Sequence, residues 1–174
     1  EVRPRLVVDA AGYRGVIRSQ IPELARHCPP PAPSDLCSAQ QLMLAIDDDA
    51  GAKDFLDRHG AQVGDAVVTV GVDGGYSTIN IQVEPSFEEV SVLVGTMPEP
   101  GDGTSGVELL KAVRAAEPWI GRPLDGGGGL IPVRRTYHRF TAAGVALVGD
   151  SAAQVMAGHG SGINEGGPDG LAQA

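Results

Sequence analysis

The chain has 174 residues, enough to bury a core, and is 42% hydrophobic but only 4% aromatic, so that core is built from Val, Leu, Ile and Ala. Thirteen basic against 22 acidic residues leave a net charge of -9, the wrong sign for holding nucleic acid or an anionic membrane by charge. No run approaches the ~18 apolar residues of a membrane span, and no secretory leader opens the sequence, which points to the cytoplasm. "EVRPRLVVDAAG" begins inside a structural element, as a piece of a longer polypeptide would.

"RLVVDAAG", residues 5 to 12, reads as a buried parallel strand closed by a tight turn. "YRGVIRSQI" runs on into a short helix or turn. The stretch 29 to 35, "PPPAPSD", is a stiff connector unsuited to helix or central strand. Cys28 and Cys37 flank it and read as two free thiols rather than a disulfide. "SAQQLMLAI", residues 38 to 46, fits either period, and the acidic run from Asp47 to Asp49 that stops it favours a strand. "AKDFLDRHG" is a helix closed by Gly60.

Three strands follow, in "AVVTVGV", "YSTINIQVEP" and "EEVSVLVGTM". The second alternates Ile79, Ile81 and Val83 with Thr78, Asn80 and Gln82, and the third carries Val90, Val92 and Val94 on one face. Short connections between such strands predict an antiparallel sheet with one wet face over residues 64 to 97. "TSGVELLKAVRAAEPW" predicts a helix, capped by Thr104 or Ser105 and ended by Pro118, with Val107, Leu110, Lys111 and Arg114 at helical spacing. "GGGGLIPVRR" is a glycine-rich turn feeding a short strand. "GVALVGD" is a second buried strand of the parallel type, and residues 151 to 174 are helical in tendency but glycine-rich. A parallel-type strand, an antiparallel group and a second parallel-type strand is the order that an inserted sheet domain gives when it splits a nucleotide-binding domain.

The chemistry concentrates in "VALVGDSAAQVMAGHGSGI", residues 145 to 163. A strand delivers Asp150 to its carboxyl end, where open α/β sheets place ligands. A carboxylate there accepts hydrogen bonds from the hydroxyls of a sugar or sugar alcohol. Gly149, Ser151, Ala152 and Ala153 carry little bulk and permit close approach to the backbone. Gly160, Ser161, Gly162 and Ile163 expose backbone N–H groups where a helix start would favour negative charge. A carboxylate for hydroxyls and a helix end for an anionic ring suit a flavin. The plainer alternative is a Gly-Asp turn in which Asp150 caps a helix.

The same stretch resembles the second flavin motif of the FAD-dependent oxidoreductases that include geranylgeranyl reductases and aromatic-ring hydroxylases. "LVVDAAGYRGVIR" resembles that superfamily's Val-x-Ala-x-Gly-x-x-Ser-x-x-Arg turn, with Gly15 at the serine and Arg18 steadying the turn. "GGGGLIPVRR" resembles the segment before the last flavin strand of the geranylgeranyl reductase branch. The three lie in family order across nearly the whole chain. Ala157 stands where the family has a loop proline. Tyr76, Thr78 and Asn80 stand at the three places of the lipid-lining Tyr-x-Trp-x-Phe pattern, where only the tyrosine is kept. The family's opening strand, Gly-x-Gly-x-x-Gly and helix, which hold the ADP half of FAD, are not matched by "GVDGGYS" or "DGGGGLI", which lack the strand-turn-helix context and come too late.

The resemblance implies a mixed α/β (α+β) chain. It forms part of an FAD/NAD(P)-binding Rossmann-like domain (residues 1–27 and 140–174), interrupted by an antiparallel-sheet substrate or cap domain (residues 28–139). It implies FAD as cofactor, with Gly149, Asp150, Ala152, Gly160, Ser161, Gly162 and Ile163 against it. It implies NAD(P)H as a possible electron donor and a small apolar substrate whose cavity includes Tyr76, Thr78 and Asn80. The implied reaction is reduction of isoprenoid C=C bonds. A flavin monooxygenase or halogenase, and a non-catalytic binding remnant of the fold, are the other two readings. His27, His59, His138 and His159 lack metal-ligand spacing, and the "GHGSG" serine is one place off a nucleophile elbow. Arg134, Arg135 and Arg139 form a basic spot that reads either as a solvated face or as a contact for a diphosphate or phospholipid head group.

Overall fold

The computed structural model describes residues 4–71, 76–97 and 105–155. The chain divides into two compact units, one of residues 1–36 and 131–174 and the other of residues 37–130. The second unit is shorter than the expected 28–139 and the first correspondingly longer, because residues 29–35 and 131–139 bond to each other. Val133 N donates to the Asp35 carbonyl at 2.7 Å, and the Tyr137 hydroxyl donates to the Pro29 carbonyl.

The first unit carries β1 (Val7–Asp9), β7 (Thr141–Ala142), β8 (Val145–Leu147) and the short helix α1 (Pro22–His27). The sheet order is β1-β8-β7. β1 and β8 are parallel, pairing Val7 with Val145 and Asp9 with Leu147. The two strands read as parallel therefore meet, although more than a hundred residues separate them. One face packs on Leu24, Tyr137, Phe140, Leu147 and Ala152. The expectation of burial on both faces fails for β1: Leu6 is 57% and Val8 50% exposed, so among the described residues that face is uncovered. The proline connector holds one 3-10 turn, Pro33–Asp35.

The second unit is a five-stranded sheet of β2 (Leu36–Ile46), β3 (Ala66–Val70), β4 (Tyr76–Val83), β5 (Glu89–Met97) and β6 (Ile120–Pro132), in the order β3-β4-β5-β2-β6. The β3–β4, β4–β5 and β5–β2 pairs are all antiparallel. Ile79 faces Val94, Ile81 faces Val92 and Val83 faces Val90, so the alternation puts all six on one side. Helices α2 (Asp49–His59) and α3 (Gly106–Ala116) cover that side through Ala52, Phe55, Leu56, Leu109, Leu110 and Val113. Burying such a continuous aliphatic layer is the main stabilising term of the unit. α2 starts at Asp48, whose carboxylate accepts from Ala50 N, and α3 starts at Ser105 in a reciprocal box with Glu108. The buried stripe of α3 is Leu109, Leu110 and Val113. Val107 is 45% exposed, so the face expected from Val107, Lys111 and Arg114 is rotated.

The glycine run is the clearest correction. Residues 126 to 129 are not a turn but the interior of β6. A methyl on Gly126 (φ 116°) would run into the Gln41 carbonyl, and one on Gly128 into the Gln40 side chain. At Gly127 and Gly129 it would meet nothing within 4 Å. The glycines let an edge strand lie close against β2.

Candidate functional site

The carboxyl ends of β1 and β8 each carry an aspartate, and the two do opposite things. Asp9, 1% exposed, turns its carboxylate inward. It accepts from Ala11 N (3.0 Å), Ile17 N (2.9 Å) and Arg18 N (3.1 Å). The segment after β1 is thus wound around one anion, which satisfies amides that would otherwise be buried without partners. Arg18, 2% exposed, closes the same turn from the other side. Its guanidinium donates to the carbonyls of Tyr13 (3.0 Å) and Arg14 (3.4 Å), and to that of Ser151 (3.0 Å).

After β8 comes a 3-10 turn, Gly149–Ala152. Val148 N donates to the Asp9 carbonyl at 3.0 Å, and the Ser151 hydroxyl donates to the same carbonyl. Gln154, 3% exposed, closes the turn on itself: its Oε1 accepts from Gly149 N at 2.9 Å and its N–H donates to the Gly149 carbonyl at 3.0 Å. Gly149 sits at φ 61°, a conformation that favours glycine, and a Cβ there would meet nothing within 4 Å.

Asp150 is the polar group that this scaffold presents. It is half-buried at the carboxyl end of β8, and among the described residues no group hydrogen-bonds its carboxylate. Burial without a partner pushes its carboxyl pKa up. The capping alternative fails: the residue before the turn is Val148, and Asp150 lies inside the turn with no backbone amide on its side chain. A carboxylate held at a strand end and unused by the fold is available to hydroxyl donors.

Ala152 and Ala153 are fully buried in the core of the first unit and Ser151 is buried beside them, so their small size serves packing there. Gly160, Ser161, Gly162 and Ile163 lie outside the described residues. Asp9, Ser151 and Gln154 build the scaffold through contacts that the sequence pattern does not announce. A buried-strand pattern ending in an aspartate was the available signal for Asp9.

In the second unit, Thr78 and Asn80 are half-buried on the sheet face away from the helices, and Tyr76 pairs with Met97 at the start of β4. The apolar hollow of this unit is on the other face. It measures about 570 Å³ and is lined by Phe55, Val67, Ile79, Ile81, Leu109 and Val113 among others. Thr78 and Asn80 do not line it. Cys28 and Cys37 are both free and buried. No described helix is long and apolar enough to cross a membrane.

A parallel strand pair bearing a Gly-Asp turn, split in sequence by an antiparallel sheet unit, is a fold shared with solved flavin-dependent proteins. A geranylgeranyl bacteriochlorophyll reductase-like protein of Thermoplasma acidophilum superposes with a TM-score of 0.66 at 18% identity, over 93% of this chain and 38% of that one. A flavin-dependent halogenase of Xanthomonas campestris gives 0.55 at 11% identity, over 94% and 28%. HpxO of Klebsiella pneumoniae, solved in complex with FAD, gives 0.51 at 17% identity, over 90% and 39%. The chain therefore spans well under half of each. No protein-family model matches the sequence, and no curated protein matches it.

Proposed function

We propose that this chain is the flavin-facing part of a cytoplasmic FAD-dependent oxidoreductase that reduces C=C bonds of an isoprenoid or another apolar substrate, with NAD(P)H as electron donor. The observation that carries the flavin reading is Asp150, a half-buried carboxylate at the carboxyl end of β8 with no partner among the described residues. It fits the ribityl hydroxyls, and the open space in front of Gly149 fits a ligand lying along the backbone. The backbone of Gly160, Ser161, Gly162 and Ile163 is assigned to the ring on the sequence pattern. When bound, FAD supplies the hydride; this chain's residues bind and orient it. The reductase branch is favoured by likeness to the reductase-like protein and by the aliphatic walls that the second unit offers.

The test is a flavin titration of the protein and of Asp150→Asn. Charge-assisted hydrogen bonds contribute about 1.5–3 kcal/mol, so affinity should fall roughly ten- to a hundredfold. Wild-type affinity in the Asn variant would remove Asp150 from the site. Reoxidation of the reduced protein by an apolar alkene, without oxygen uptake, separates the reductase from oxygenase and halogenase chemistry.

A further inference from the structure

Apart from the flavin reading, the first unit gathers positive charge against the grain of a chain whose net charge is -9. Residues 134 to 139, with His27, line a hollow of about 330 Å³. The strap that builds it is pinned along its length. Val133 N donates to the Asp35 carbonyl (2.7 Å), Thr136 Oγ1 to that of Ala153 (3.2 Å), Tyr137 N to that of Ala152 (3.2 Å), and the Tyr137 hydroxyl to that of Pro29. Tyr137, 4% exposed, gives a fixed ring, and the Arg134 guanidinium lies over it, 4.6 Å from the centroid. Stacking of this kind holds the plane of the fork.

The fork is fixed but unsatisfied. Arg134 Nε is buried with no hydrogen-bond partner. The nearest carboxylate, Asp35, is 3.8 Å from Nη1, beyond hydrogen-bond length. Arg135 is exposed and has no ion-pair or hydrogen-bond partner among the described residues. Arg139 pairs with Glu23 at 3.4 Å, and its Nη1 lies 3.5 Å from His27 Nε2. Three arginines against two carboxylates, Asp35 and Glu23, leave an excess of one positive charge (3 - 2 = 1) before either His27 or His138 is protonated.

We propose that this hollow is an anion site for the phosphate or diphosphate group of a ligand. The stacked fork of Arg134, a second unpaired guanidinium and two flanking imidazoles offer more donors than a carboxylate has oxygens, and a phosphoryl group matches them. The source of the phosphate is either a soluble phosphoester or a phospholipid head group.

The probe is inorganic pyrophosphate, titrated calorimetrically into the flavin-free protein. One-to-one binding is expected, weakened at least about tenfold by Arg134→Gln and by Arg135→Gln, and unchanged by Arg58→Gln on the second unit. Arg135 has no partner to lose, so its variant tests the site even where Arg134→Gln unfolds the strap, which a thermal melt shows. Co-sedimentation with phosphatidylcholine vesicles containing phosphatidic acid distinguishes the sources. Vesicle binding lost in Arg135→Gln assigns a head group; pyrophosphate binding without vesicle binding assigns a soluble phosphoester. No binding to either probe, or equal binding by wild type and Arg135→Gln, overturns the proposal.

Discussion

The Arg18 guanidinium donates to the Ser151 carbonyl at 3.0 Å, inside the protein, across 133 positions of sequence. It joins the turn after β1 to the turn after β8 and forms no ion pair among the described residues. Three backbone carbonyls, those of Tyr13, Arg14 and Ser151, take its charge.

That geometry depends on the spread of the fork. Arg18→Lys keeps the charge but places one ammonium where two nitrogens reach three carbonyls, so the loss should be about 2 kcal/mol. The urea midpoint measures it. Arg58→Lys, at an exposed pair with Asp54, is expected to change stability by less than about 1 kcal/mol. Equal effects at both positions would remove the special role of Arg18.

Asp150 has a folded pKa raised above its ordinary 3.8 by burial. The protonated form is favoured in the fold, so the carboxyl costs no stability below 3.8. Stability is lost as pH rises from 3.8 through the raised folded value, and the penalty is full above it. Asp150→Asn should therefore melt at or above the wild-type temperature at neutral pH, the difference closing as pH falls towards 3.8. A variant less stable than wild type at neutral pH would show that the carboxylate serves the fold.

The glycines of β6 are unequal. Gly126→Ala sets a methyl against the Gln41 carbonyl at a φ of 116° and should destabilise the second unit by about 2–4 kcal/mol. Gly127→Ala enters open space and should stabilise by about 0.4–1 kcal/mol through the unfolded chain. Paired chemical denaturation curves test both. Identical midpoints would mean that β6 does not hold this register.

The Gly-x-Gly-x-x-Gly of this sequence, residues 101 to 106, lies between β5, which pairs antiparallel on both sides, and α3, rather than between a parallel strand and a helix as a diphosphate cradle does. Purified by itself, the chain should carry little FAD and bind added FAD weakly. A yellow, stoichiometric complex would show that other groups hold the ADP half.

Periodicity by itself determined the antiparallel sheet. Ile79, Ile81, Val83 and Val90, Val92, Val94 alternate because successive side chains on a strand point to opposite faces, and among the described residues the helices cover one face of this sheet. Gly-Asp after an aliphatic run marked the end of β8 for the same local reason. Local pattern does not report what a side chain meets across the fold. Whether Asp9 turns in or out, and whether Ala152 is small for a ligand or for the core, were decided by long-range contacts. So was the glycine run, which reads as a turn from composition and is a strand because β2 lies against it. Asp150 stands between the two cases. Its place at the strand end was legible in sequence, while its lack of a partner among the described residues is a property of the assembled turn, in which Gln154 and Ser151 take the backbone groups that a capping carboxylate would have used.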